Sequence, residues 1–169
     1  MFVLARAVTY SALFIGLLLV FLPGRILSST GFFQPAVFGG WQVSGMVLGA
    51  SGGGLALACI LTFVFVGRGT PAPFDPPRRL VIQGPYRLVR NPMYLGAGFA
   101  LAGAALFYQS IPLLAYAVLF LVLTHAFVVL YEEPTLRRAF GGDYDAYCRR
   151  AGRWGPRWRP PNRGEPTAG

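Results

Sequence analysis

Residues 111–131 read IPLLAYAVLFLVLTHAFVVLY, a stretch without a single Asp, Glu, Lys or Arg. An α-helix needs about 20 consecutive apolar residues to cross a bilayer, so this stretch is long enough for one crossing. Pro112 suits the first turn of such a helix, where its missing N–H costs no hydrogen bond. The stretch therefore predicts a transmembrane helix, and it decides the fold class.

Three further apolar stretches, at about residues 3–22, 37–66 and 93–108, are also candidates for membrane helices. Charged residues make up 12% of the 169 residues, and the mean hydropathy is +0.52. Soluble domains carry roughly 25% charged residues, so this composition excludes an ordinary soluble enzyme. We therefore expect an all-α fold: an integral membrane helical bundle of about four transmembrane helices, in a single domain over residues 1–160.

The second apolar stretch contains Gly45, Gly49 and Gly53 at intervals of four residues. Small residues at this spacing allow a second helix to approach closely in a membrane. We expect these glycines to serve helix packing and not to bind a ligand.

The distribution of arginine predicts the orientation of the bundle. Residues 67–92 contain five arginines and the tail after residue 131 contains eight, whereas residues 23–36 contain one. Cytoplasmic loops carry the excess of positive charge in membrane proteins, so both termini and the loop 67–92 are expected in the cytoplasm. Because the net charge of +9 lies beside apolar stretches, we expect it to face the bilayer surface and not nucleic acid.

The tail is expected to form one more helix, over residues 134–150. Leu136, Ala139, Phe140, Tyr144 and Tyr147 fall near one face of that helix, while its arginines lie elsewhere. This pattern predicts an interfacial amphipathic helix at the membrane surface. Residues 161–169 are expected to be unstructured.

The loop before the third membrane helix is the first candidate site. Asn91 and Pro92 are expected to start that helix, with Asn91 as the N-cap and Pro92 as the first residue. The N-terminus of the helix offers free N–H groups to an anion. Gly96 and Gly98 would let a flat ligand approach the backbone, although helix packing explains these glycines equally well.

The second candidate site lies on the fourth membrane helix. His125 and Glu132 are seven residues apart, so two helical turns bring them to one face, with Val128 between them. Burying an ionisable side chain in the membrane costs free energy, so such residues are candidates for function. Alternatively, His125 binds a neighbouring helix, and Glu132 and Glu133 simply favour the start of the helix that follows.

Several spaced blocks of sequence resemble the isoprenylcysteine carboxyl methyltransferase family and the related phospholipid methyltransferases. The resemblance covers about residues 75–159. Its blocks are Gly84-Pro85-Tyr86, Arg90-Asn91-Pro92, Tyr94, Gly96, His125, Glu132-Glu133, Leu136, Phe140-Gly141, Tyr144, Tyr147 and Arg153-Trp154.

The resemblance implies a membrane methyltransferase that uses S-adenosylmethionine, with a lipid or a small hydrophobic molecule as the acceptor. We expect Glu132 and His125 to be the catalytic residues, and the spacing of Cys and His predicts no metal site. Val128 stands where isoprenylcysteine enzymes have the Arg that pairs with the substrate carboxylate, which disfavours such a substrate. The residues that it implies for cofactor binding are Arg78, Arg79, Leu80, Val81, Tyr86, Arg90, Asn91, Pro92, Met93, Tyr94, Gly96, Gly98 and Glu133.

The role of each ionisable residue stays open at this point. An ammonium acceptor must lose a proton before it is methylated, and Glu132 or His125 would take that proton. Glu132 would otherwise hold the amine, or both carboxylates would bind the cofactor. Two other functions remain as alternatives: an NAD(P)H-dependent membrane reductase of the sterol-reductase type, and a membrane binding protein without catalytic activity. The sequence predicts no particular oligomeric state.

Overall fold

A computed structural model describes residues 9, 13, 15–31, 38–62, 65 and 80–157. Every regular element in these ranges is a helix, and no strand occurs within them, so the all-helical prediction is confirmed. The predicted cofactor residues Arg78 and Arg79 lie outside the described residues. So do the tail 161–169 and the beginning of the predicted helix 3–22.

The helices follow one another in chain order. A π-helical turn, Ile15–Phe21, leads into α1, Leu22–Ser29; α2 is Gly40–Thr62, α3 is Pro92–Phe107, α4 is Ile111–Phe127 and α5 is Glu133–Arg150. The sequence predicts that the first helix ends at residue 22, but the helical path continues to Ser29. Pro23 does not stop it: the chain is helical on both sides of Pro23, and the Leu18 carbonyl, five residues before it, accepts a hydrogen bond from the Tyr116 hydroxyl at 2.9 Å.

Two helical stretches are long and apolar enough to cross a membrane: α2, and the continuous run Ile111–Arg150, whose apolar part ends at Tyr131. The helical stretches Ile15–Ser29 and Pro92–Phe107 are apolar but shorter. Large apolar side chains of α4, such as Leu119 and Val122, are exposed, as lipid-facing residues are. The chain has the character of a membrane protein, and the count of four crossings remains a prediction.

Helices α2 and α3 pack against each other through facing glycines. A Cβ on Gly45 would lie 2.7 Å from the carbonyl oxygen of Gly103, and one on Gly52 would lie 2.5 Å from that of Gly96. Only glycine permits backbones this close, so the packing role is confirmed for Gly45. It is wrong for Gly53, which has no atom within 4 Å of its Cβ position. With 3.6 residues per turn, the contact stripe moves to Gly52.

Helix α4 begins with a cap that the sequence analysis missed. The Ser110 side chain accepts a hydrogen bond from the backbone N–H of Leu113 at 3.3 Å, and Pro112 lies in the first turn as predicted. At its other end α4 does not stop. A π-helical turn, Val128–Glu132, joins it to α5, although the sequence predicts two separate helices.

Helix α5 bends once, at Gly141, whose backbone has φ 51° and ψ −125°. Tyr144 and Tyr147 beyond this bend are buried, while Arg149 and Arg150 are exposed. The predicted helix is therefore present, and its location at the membrane surface remains a prediction.

The segment after α5, residues 151–157, returns to the start of α3. The Arg90 N–H donates to the Gly152 carbonyl at 2.8 Å, and Val89 and Gly152 form an isolated bridge. The Tyr147 hydroxyl donates to the Tyr86 carbonyl at 2.7 Å. These bonds hold the loop before α3, the end of α5 and the chain after α5 together at one end of the bundle.

Candidate active site

Glu132 and Tyr94 meet at this end of the bundle. The Tyr94 hydroxyl, in the first turn of α3, donates to the Glu132 carboxylate at 3.1 Å. Tyr94 is buried and Glu132 is partly exposed. The π-helical turn that ends at Glu132 contains an extra residue per turn, which changes the direction of the side chains that follow. Glu132 thereby faces α3.

His125, Val128 and Glu132, which the sequence predicts on one face of the helix, have different surroundings in the structure. Val128 is completely buried, His125 is exposed, and Glu132 faces Tyr94. The π-helical turn causes this difference, because the prediction assumes regular α-helical spacing throughout. His125 and Glu132 therefore have different neighbours.

Glu133 is the centre of a buried ion-pair cluster. Arg153 donates to its carboxylate from Nε at 2.7 Å and from Nη2 at 3.0 Å, and Arg90 Nη1 lies 3.1 Å away. Burial alone would raise the pKa of Glu133, but the Arg153 hydrogen bonds and the charges of Arg90 and Arg153 outweigh it. The pKa of Glu133 is therefore lowered, and the carboxylate is charged.

Arg90 and Asn91 hold the start of α3 against the end of α5. Arg90 Nη1 also donates to the Cys148 sulfur at 2.7 Å. Asn91 occupies the N-cap position, as predicted, but its side chain makes no capping bond and donates to the Arg153 carbonyl at 3.3 Å instead. Arg90 Nε is buried and has no hydrogen-bond partner among the described residues.

The remaining predicted cofactor residues pack within the described structure. Val81 and Tyr86 are buried in a cluster with Cys59 of α2, and Met93 packs on its edge. Leu80 packs against the cluster of Tyr144, Tyr147 and Ala151. Their contact with a cofactor remains a prediction.

Gly96 and Gly98 both contact neighbouring helices. A Cβ on Gly96 would lie 2.7 Å from the Gly52 carbonyl oxygen, and one on Gly98 would lie 2.6 Å from the Leu121 side chain. The structure thus shows the packing role that the sequence analysis kept as the alternative. The predicted approach of a flat ligand to these glycines is not needed to explain them.

Among the described residues, the hydrogen-bond partner of His125 is Trp154, in the chain after α5. The Trp154 Nε1–H donates to His125 Nδ1 at 2.9 Å, and the two ring centroids are 5.9 Å apart. Both side chains border a groove of about 380 Å³ that is otherwise lined by Leu95, Val118, Leu121 and Val122. The sequence analysis gave no role to Arg153 or Trp154, although both belong to the last block of the family resemblance.

A family model described as phospholipid methyltransferase matches residues 41–143, more than half of the chain. The match covers α2, α3, α4, both carboxylates and the first part of α5. No curated protein and no solved structure matches the chain. The family favours a methyltransferase over a reductase or a binding protein without catalytic activity. Together with its apolar helices, the match shows that this chain belongs to the phospholipid methyltransferase family.

Proposed function

We propose that this protein transfers a methyl group from S-adenosylmethionine to the amine of an amphipathic lipid. The transfer takes place where Glu132 and Tyr94 meet. The proposal rests on the family and on one observation about charge: among the described residues, Arg90 and Arg153 pair with Glu133 and not with Glu132.

The ion pairs among the described residues leave Glu132 without a cation. Arg90 and Arg153 both bind Glu133, and Arg137 binds Asp145. Val128 stands where the isoprenylcysteine enzymes, which the chain resembles, have the Arg that pairs with the substrate carboxylate. A lipid ammonium, in contrast, finds a carboxylate that forms no ion pair with an arginine of the described residues. This arrangement favours a cationic acceptor over a prenylcysteine carboxylate.

Glu132 also lies at the right place for a lipid. It follows the apolar stretch 111–131 directly, so one side of the site is apolar and the other is polar. An acyl chain would lie along the apolar helices while the headgroup amine reaches Glu132. The arginine-rich loop 67–92 and tail support a cytoplasmic site with both termini on that side and four crossings.

Glu132 has two tasks in this reaction. It binds the ammonium group, and it accepts the proton that the nitrogen must lose before the nitrogen–carbon bond forms and the carbon–sulfur bond breaks. S-adenosylmethionine supplies the methyl group on a positively charged sulfur, which leaves as a neutral thioether. Tyr94 holds the Glu132 carboxylate in one orientation through its hydrogen bond, which contributes to alignment of the acceptor.

The residues at the start of α3 fit the cofactor chemically. Arg90 Nε is a buried donor without a partner among the described residues, and it is suited to the methionyl carboxylate of the cofactor. The Tyr94 hydroxyl and the Asn91 amide are further hydrogen-bonding groups close by in the chain. We propose that these three residues, with Tyr86, hold the cofactor.

A methylation assay tests the proposal. Purified protein in lipid nanodiscs would receive S-adenosylmethionine with a labelled methyl group and either phosphatidylethanolamine or phosphatidylglycerol, which has no amine. We expect labelled phosphatidylethanolamine and no labelled phosphatidylglycerol. A farnesylcysteine analogue serves as the third substrate. Label in that carboxylate and none in phosphatidylethanolamine would contradict the proposal.

A further inference from the structure

The contact between Trp154 and His125 determines where the histidine carries its proton. An indole Nε1–H only donates hydrogen bonds, so the nitrogen that it meets must accept one. That nitrogen is His125 Nδ1, at 2.9 Å. Nδ1 therefore carries a lone pair, and in the neutral ring the proton lies on Nε2.

Trp154 is held firmly enough to impose this choice. Its neighbour Arg153 binds the buried Glu133 through two hydrogen bonds, of 2.7 and 3.0 Å. Ala151 and Gly152, just before, are buried, and Gly152 pairs with the start of α3. The Glu133 cluster thus fixes the backbone that presents Trp154 to His125.

His125 also lines an apolar groove. Leu95, Val118, Leu121 and Val122 line this groove of about 380 Å³, in which His125 and Trp154 are the polar side chains. Leu95, which lines the groove, and Tyr94, which contacts Glu132, are consecutive residues of α3. His125 precedes Glu132 by seven residues, roughly 10 Å along the helix and further into the apolar stretch.

We propose that Trp154 holds His125 as the Nε2–H tautomer, and that His125 donates this hydrogen bond to an oxygen of the lipid acceptor. A glycerolipid has its ester and phosphate oxygens on the acyl-chain side of its amine, which is the direction from Glu132 towards His125. His125 is then a hydrogen-bond donor to the acceptor and not the base that takes its proton. Trp154 is a positioning residue. The inference rests on the proposed function, because it assumes a lipid acceptor.

Nuclear magnetic resonance tests the tautomer without any substrate. The chain contains one histidine, so ¹⁵N-histidine labelling reports on this side chain alone. We expect the neutral ring of the wild type to carry its proton on Nε2 and none on Nδ1. Trp154→Phe should let both tautomers exchange, whereas Trp41→Phe, an exposed residue of α2, should change nothing. A proton on Nδ1 in the wild type would overturn the inference.

Two substitutions of His125 separate a donor from a base. Gln places an amide N–H near the position of Nε2, whereas Asn reaches only the position of Nδ1. With phosphatidylethanolamine nanodiscs, we expect His125→Gln to keep activity within a few-fold and His125→Asn to raise KM about tenfold, the worth of one hydrogen bond. Trp154→Phe should also raise KM and leave kcat nearly unchanged.

Three other outcomes would contradict the proposed role of His125 or the function on which it rests. Equal losses in kcat for the Gln and Asn variants would make His125 the base, and no loss in either would remove it from the site. A wild-type protein that methylates no phosphatidylethanolamine would refute the proposed function and the lipid contact with it. The tautomer would still be read from the resonances, so the two failures are distinguishable.

Discussion

Glu132 and Glu133 are consecutive in the chain but bind different partners. Glu132 accepts a hydrogen bond from Tyr94, whereas Glu133 forms ion pairs with Arg90 and Arg153. Successive side chains of a helix point about 100° apart, so two elements can bind two adjacent carboxylates. We therefore assign the reaction chemistry to Glu132. Glu133 holds the chain after α5 in place.

Glu132→Gln is expected to fold and to lose most of its turnover. Gln keeps the shape of the side chain but neither attracts an ammonium nor accepts its proton. Loss of such a group typically costs about 10²–10⁴-fold in rate. Steady-state kinetics at saturating S-adenosylmethionine measure the effect. Full recovery at saturation would show that Glu132 only binds the cofactor.

Tyr94→Phe is expected to lower kcat by about tenfold, because it removes the hydroxyl that orients Glu132. Since both substitutions act through the same carboxylate, Tyr94→Phe should add little further loss to Glu132→Gln. A double-mutant cycle of kcat values measures this coupling. Fully additive effects would show that Tyr94 acts on the reaction independently of Glu132.

Glu133→Gln is expected to destabilise the fold. It leaves Arg90, whose side chain is 9% exposed, without its charged partner. Removal of one partner of a buried pair costs about 3–5 kcal/mol. The matched control is Asp145→Asn, which breaks the Arg137–Asp145 pair, whose side chains are 54% and 46% exposed. That exposed pair should contribute less than about 1 kcal/mol. Equal unfolding midpoints for both variants in detergent would contradict the assignment.

The lowered pKa of Glu133 predicts a loss of stability in acid. A carboxyl group whose pKa is lower in the folded state stabilises the fold above its ordinary pKa of 4.5, and this contribution disappears as the pH falls through the folded value. The thermal unfolding midpoint of the wild type should therefore decrease as the pH is lowered below about 4.5. The midpoint of Glu133→Gln should depend less on pH. Parallel midpoint curves for the two proteins would refute the role of Glu133.

The sequence was sufficient to predict the all-helical class and the starts of several helices. Both depend on local features of the sequence, namely long apolar stretches and prolines in the first turn of a helix. It was not sufficient for the partners in the site. Whether Glu132 faces His125 or Tyr94 depends on one extra residue in the turn Val128–Glu132, and no local pattern in the sequence marks that turn. The partners of Glu133 come from residues that are distant in the chain, so they depend on the tertiary fold.

The close packing of glycines between α2 and α3 predicts that Gly52 does not tolerate a larger residue. Gly53, the next residue in the chain, provides the control. In Gly52→Ala, the new Cβ would lie 2.5 Å from the Gly96 carbonyl oxygen and from the Ala100 backbone nitrogen, so the two helices must move apart. Backbone atoms cannot turn away as a flexible side chain can, and we expect the unfolding midpoint to fall by several degrees. In Gly53→Ala, the new Cβ meets no atom within 4 Å. Ala is the better helix former by roughly 1 kcal/mol, so this variant should be as stable as the wild type or more stable. Thermal unfolding of the three proteins in one detergent measures the difference. If Gly53→Ala were the more damaging variant, α3 would contact the other side of α2.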